Sequence, residues 1–134
     1  MKSKNIQNQF LATAKISENI WFLSILNGVL FFLPHMMNPE MASNPYLVGL
    51  LYFGIGAFLS VITIKTRGLE YALGIHAANN LTALIVSLDG GVLTEPSLFK
   101  YSQMIPVADL VAFTASALIA GFLILRRTKE TATR

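Results

Sequence analysis

Few side chains in this sequence can do chemistry, and two of them stand one helical turn apart. His76 and Asn80 are four residues apart, a spacing that stacks both on one face of a helix. An imidazole binds a metal or moves a proton near neutral pH. A carboxamide offers a carbonyl that can ligate a metal and an NH2 that can hold a developing oxyanion. The other histidine is His35, four residues after Phe31 in Phe31-Phe32-Leu33-Pro34-His35; the chain has 2 histidines in all. Asp109 is the one acid inside the last long apolar run. Each group also has a plainer use. A histidine or asparagine in a membrane helix often bonds a neighbouring helix, for about 0.6–2 kcal/mol. His35 suits an interfacial position, and Asp109, about one turn inside its run, can snorkel to the interface. A pairing of Asp109 with His35 is a further expectation, because both lie toward the same side.

Those groups need elements to position them. The chain is 54% hydrophobic and 13% charged, against about 25% charged in a soluble domain. A membrane helix takes roughly 20 mainly apolar residues, since a helix rises about 1.5 Å per residue through about 30 Å of hydrocarbon. Four runs qualify: Asn19 to Pro39, Tyr46 to Ile64, Tyr71 to Leu88 and Ile105 to Leu125. They do not alternate as barrel strands do. The expected fold is all-α, a polytopic membrane protein of about four transmembrane helices. It divides into a cytoplasmic N-terminal segment at 1–18, a transmembrane domain at 19–125 and a basic cytoplasmic tail at 126–134. Pro34, Pro39 and Pro45 break the first two runs apart, Arg67-Gly68 makes a tight turn, and Asp89-Gly90-Gly91 ends the third run.

Charge supports the same count. With four spans, Lys2, Lys4, Lys15, Lys65, Arg67, Arg126, Arg127, Lys129 and Arg134 share one side, and Lys100 alone among the 10 basic residues falls on the other. That bias sets both termini in the cytoplasm of a bacterial inner membrane. Trp21 and Tyr46 suit the interfacial belts. The N-terminal residues are too polar for a cleaved signal peptide. With Cys at 0, disulfides and thiolate metal sites are excluded. The basic residues form no nucleic-acid stripe. Gly49, Gly56 and Ser60 share a face of the second run, and Ala108, Ala112, Ser116 and Ala120 recur every four residues in the last. Both are read as seams for close helix packing, within the chain or against a helix partner or second copy.

In order, Phe31 to His35 followed by Asn38-Pro39-Glu40, then Gly49 to Gly56, then Thr66-Arg67-Gly68-Leu69, then His76-Ala77-Ala78-Asn79-Asn80 form a pattern. It resembles the FxxxH motif, glycine-rich helix, short turn and HxxxN motif of the CPBP membrane proteins, the CAAX-protease and bacteriocin-processing group also called Abi or type II CAAX prenyl endopeptidase-like. The resemblance covers about residues 17 to 88. It implies an endopeptidase, a hydrolase acting on a membrane-presented peptide or protein. His35 would orient or deprotonate water, and His76 and Asn80 would hold the tetrahedral intermediate. In the metalloprotease description of the family, the same His35, His76 and Asn80 would hold a divalent metal such as zinc. The family's EExxxR general-base motif does not stand upstream of His35; Glu18 has no paired acid, and Glu70 falls on a different helix face from His76. The expectation is therefore a truncated or degenerate relative, with completion by a partner as a third option. A non-catalytic self-immunity or membrane scaffold protein is the alternative, and a small ion or solute carrier a weaker one. Simple topology sets His35 about 22 Å into its span, His76 about 10 Å and Asn80 about 16 Å. Tilt, or a break at Pro34, would be needed to bring them together.

Overall fold

The computed structural model describes residues 19–89 and 97–132. The segment 1–18, with Glu18 and the first three lysines, lies outside those residues, as do Gly90-Gly91 and Arg134. Helix α1 runs Ile20–His35, and Asn19 caps it by accepting from the backbone N–H of Trp21 and Phe22, each at 3.1 Å. Pro34 stands in its last turn, and the helix stops at His35, short of the apolar run that ends at Pro39. A 3-10 turn, Pro39–Ala42, follows. Helix α2 spans Pro45–Thr66, with Asn44 accepting from Leu47 N–H at 3.1 Å and Pro45 at the first position. Arg67 ends α2 in the left-handed region, at φ 56° and ψ 30°. The Thr66 hydroxyl, 2.8 Å from the Ile62 carbonyl and 3.1 Å from that of Gly68, ties down the turn.

Helix α3 covers Glu70–Ile85, and α4 covers Pro106–Ala132. Among the described residues the fold is all-α with four α-helices, apart from one short pairing. Val86–Leu88, read as the end of the third span, forms strand β1 instead. It lies parallel to β2, Phe99–Tyr101, with Val86 opposite Phe99 and Leu88 opposite Tyr101. Ile85 and Val86 are β-branched, which lowers helix and raises strand preference. Two helical stretches, Pro45–Thr66 and Pro106–Thr128, are long and apolar enough to cross a membrane. Helices α1 and α3 have 16 residues each, short of the roughly 20 a perpendicular span takes. Helix α4 carries on beyond Leu125, so the basic stretch begins as helix, with Arg126 Nε 3.2 Å from Glu130 Oε1.

Helix α2 is the hub against which α1, α3 and α4 each pack. Its Val48 and Ile62 are the largest fully buried side chains, and Gly49, Gly56 and Ser60 are buried as their shared face predicts. The closest approach is to α1. A Cβ on Gly56 would stand 2.5 Å from Phe31 Cβ and 3.1 Å from Gly28 Cα, and one on Gly28 would meet the Phe53 ring at 2.6 Å. Only glycine fits at either place. Asn27 Nδ2 donates to Ser60 Oγ at 3.2 Å across the same crossing. The seam read on α4 behaves otherwise. Ala112, Ser116 and Ala120 line an open cavity, and Ala108 is exposed. The helix packs on α2 through a larger side chain, Phe113, set edge-on to Phe58 at 6.3 Å and against Gly54.

Candidate functional site

The α1–α2 crossing fixes Phe31, and Phe31 organises both histidines. Its ring stacks on His35 at 4.7 Å and 16°, and meets His76 edge-on at 5.6 Å and 88°. On its other side His35 stacks on Tyr52 of α2 at 4.3 Å and 27°. The ring of His35 is thus held between two aromatics, as a positioned imidazole needs. Its Nδ1 lies 2.6 Å from the Phe31 carbonyl oxygen. A carbonyl only accepts, so Nδ1 carries the proton, and in the neutral ring Nε2 keeps the basic lone pair.

His76 and Asn80 stack on one face of α3, as their spacing predicts. Asn80 Nδ2 lies 3.3 Å from His76 Nε2. With the amide donating there, the proton of neutral His76 sits on Nδ1, a buried atom with no hydrogen-bond partner among the described residues. One N–H and the carbonyl of the Asn80 amide remain for another molecule, and the residue is exposed.

His35, His76 and Asn80 line one cavity of about 420 Å³, between α1, α2 and α3. Although simple topology assigns the two histidines different depths, Phe31, one turn back from His35, contacts both imidazoles. Five further polar residues stand on the wall, none of them a site residue in the sequence reading: Asn38, Glu40, Tyr52, Asn79 and Tyr101. Asn38 Nδ2 donates to the Tyr52 hydroxyl at 3.1 Å, tying the turn after α1 to α2. The signal for Asn38 and Glu40 was a polar turn directly after a histidine at a helix end; for Tyr101, distant in sequence, there was none. Burial pushes the Tyr101 phenol above its usual range, and the negative charges of Asp109 and Glu40 and nearby Tyr52 add to the effect. Tyr101 therefore stays a hydrogen-bond donor at neutral pH.

A larger cavity of about 570 Å³ adjoins, between α2, α3 and α4, and shares Tyr52, His76, Asn79 and Tyr101 with the first. Asp109 lines this second cavity, with Oδ2 buried and without a hydrogen-bond partner among the described residues. The expected pairing of Asp109 with His35 is not formed. His35 is occupied by Phe31 and Tyr52 and does not line the cavity that Asp109 faces. As for a metal, no group of three or more His, Cys, Asp or Glu side chains is gathered to hold one among the described residues. His76 Nε2 is engaged by Asn80, leaving two imidazoles and an amide that do not fit a metal centre as arranged.

Residues 6–82, which contain both histidines and Asn80, match the family described as Type II CAAX prenyl endopeptidase Rce1-like. The chain belongs to that family. Among curated proteins this Rce1-like chain is similar to the uncharacterized protein YyaK of Bacillus subtilis (strain 168), with 35% identity over 101 residues. That match takes in 72% of this chain and 33% of the relative, so the chain spans about a third of the length of the relative it matches. No solved structure matches the chain.

Proposed function

We propose that this chain carries part of a membrane-embedded endopeptidase site that hydrolyses peptide bonds of membrane-presented substrates. The observation that carries the reading is that His35, His76 and Asn80 line one cavity. In this reading water adds to the scissile carbonyl carbon. His35 orients that water or takes its proton through Nε2, the nitrogen left basic by the Phe31 carbonyl. The carbonyl oxygen becomes an oxyanion, held by donors on Asn80 and His76. The C–N bond then breaks, and the proton passes to the leaving amine. Lipid around the helices would lower the local dielectric at the cavity and strengthen each of these contacts.

Four spans in the bacterial inner membrane, with both termini cytoplasmic, belong to the same proposal. Large apolar side chains stand exposed along the helices, among them Leu118 at 70% and Phe122 at 64%. A lipid bilayer would cover them without the cost that water exacts. Helices α1 and α3 would span by local thinning of the bilayer or through their flanking turns.

Cleavage of an internally quenched peptide anchored in vesicles tests the activity. His76→Ala is expected to lower turnover by about 10²–10³, with helix content retained by circular dichroism. Equal turnover in the two proteins would reject the reading. A second reading is a non-catalytic self-immunity or scaffold protein. The Gly28–Gly56 crossing favours it, because it builds a rigid helix pair without either imidazole. That reading expects function to survive loss of His35, His76 and Asn80 but to fail on bulky replacement of Gly56.

A further inference from the structure

The larger cavity, about 570 Å³ between α2, α3 and α4, has no task in the hydrolysis itself. It adjoins the histidine cavity and shares Tyr52, His76, Asn79 and Tyr101 with it. Much of its wall is apolar. Ile55 and Leu59 of α2 and Ile75 of α3 line it together with the small row Ala112, Ser116 and Ala120 of α4. That row leaves the width open, because α4 meets α2 through Phe113 instead.

One acid stands on this wall, Asp109. Its Oδ2 is buried and has no hydrogen-bond partner among the described residues. A buried carboxylate oxygen without a partner is costly, and a cation removes that cost. Asp109 lies in the first turn of α4, where the helix dipole favours the negative form. Burial, and after it the charge of Asp109, hold the Tyr101 phenol above its usual range, so the acid acts on the wall that both cavities share. No lysine or arginine is among the described residues lining either cavity, which leaves the countercharge for a ligand to bring.

We propose that this cavity is a subsite for a cationic side chain, lysine or arginine, of the membrane-presented peptide, and that Asp109 selects it. The proposal rests on the endopeptidase reading above and adds a substrate feature to it. The apolar walls cover the aliphatic stem, and the carboxylate meets the charged head. Because His76 and Tyr101 border both cavities, the residue held here flanks the scissile bond. An uncharged side chain of equal length leaves Asp109 unpaired, and an acidic one sets like charges together. Asp109 and Tyr101 lie beyond residues 6–82, so the subsite is formed partly outside the family-matched segment.

The experiment uses the full chain in phosphatidylcholine vesicles with the internally quenched anchored peptide. The peptide carries lysine, norleucine or glutamate beside the scissile bond. Unanchored, labelled copies give a Kd by fluorescence anisotropy on the chain in phosphatidylcholine nanodiscs. Wild type is expected to bind the lysine peptide about 10–100-fold tighter than the norleucine one, and the glutamate one weakest. The order in kcat/KM should be the same. Asp109→Asn should level lysine and norleucine, and Asp109→Glu, which keeps the charge, should restore the preference. The peptide series on wild type alone decides the point if a variant does not fold. Equal Kd for lysine and norleucine in wild type would overturn the inference, as would a lysine preference that survives Asp109→Asn. Cleavage of all three peptides at one rate would overturn it and leave the endopeptidase reading standing. A lysine preference in Kd that Asp109→Asn removes, with no cleavage of any peptide, would reject the endopeptidase reading and keep Asp109 as a cation-binding residue. Loss of the preference on adding phosphatidylethanolamine would give the cavity to a headgroup amine and overturn the assignment to a peptide.

Discussion

At the scale of single residues, the site is built by fixing rings rather than by pairing charges. His35 bonds to a backbone carbonyl through Nδ1 and lies between Phe31 and Tyr52. Neither contact requires a charged partner, which suits a low-dielectric setting where unpaired charge is costly. Tyr52 has two jobs that can be separated. Its ring stacks on His35, and its hydroxyl accepts from Asn38 at 3.1 Å. Tyr52→Phe keeps the ring and is expected to cost about 0.5–1.5 kcal/mol, the worth of one hydrogen bond. Tyr52→Ala removes both and is expected to cost about 3–5 kcal/mol. Thermal unfolding in one detergent compares the two, and equal losses would show that the stack contributes nothing. The shared face of His76 and Asn80 is legible as a helical spacing, because four residues fix it whatever the tertiary fold. That Glu40 and Tyr101 line the same cavity is not legible there, because each depends on where a turn or a short strand comes to rest.

At the scale of elements, the α1–α2 crossing decides whether the site exists. Gly28 and Gly56 let the two backbones touch, and Phe31 is pinned where they do. The Gly56 face was readable as a small-residue seam, but not that its partner is α1 or that Phe31 is the residue pressed against it. The equally regular Ala112, Ser116 and Ala120 row makes no such close crossing within the chain, since small residues permit close approach without compelling it. Here they border open volume. Gly56→Leu is expected to push α1 off α2, to destabilise by at least about 1–3 kcal/mol and to loosen both histidines. Gly74 provides the control, because a Cβ there meets nothing within 4 Å. Gly74→Ala is expected to raise helix stability by up to about 1 kcal/mol. Similar destabilisation by both changes in thermal unfolding would remove the argument for a special crossing.

At the scale of the whole molecule, one central helix with three others laid against it produces two adjoining cavities that share His76, Asn79, Tyr52 and Tyr101. The all-α class and the four helices of the described residues follow from run length and composition, while two of the four are long enough to span a membrane. The meeting of His35 with His76 does not follow from them, since simple spans set the two at different depths. The ring of Phe31 touches both, and where it sits depends on the tertiary contact between α1 and α2. Because the chain has 2 histidines, selective isotope labelling of His and Phe gives a direct test. In the full chain in lipid, nuclear magnetic resonance should show through-space contacts from the Phe31 ring to both imidazoles, and a proton on His35 Nδ1. Contacts to one imidazole alone, or a His35 Nδ1 without its proton, would contradict the shared cavity on which the proposed chemistry depends.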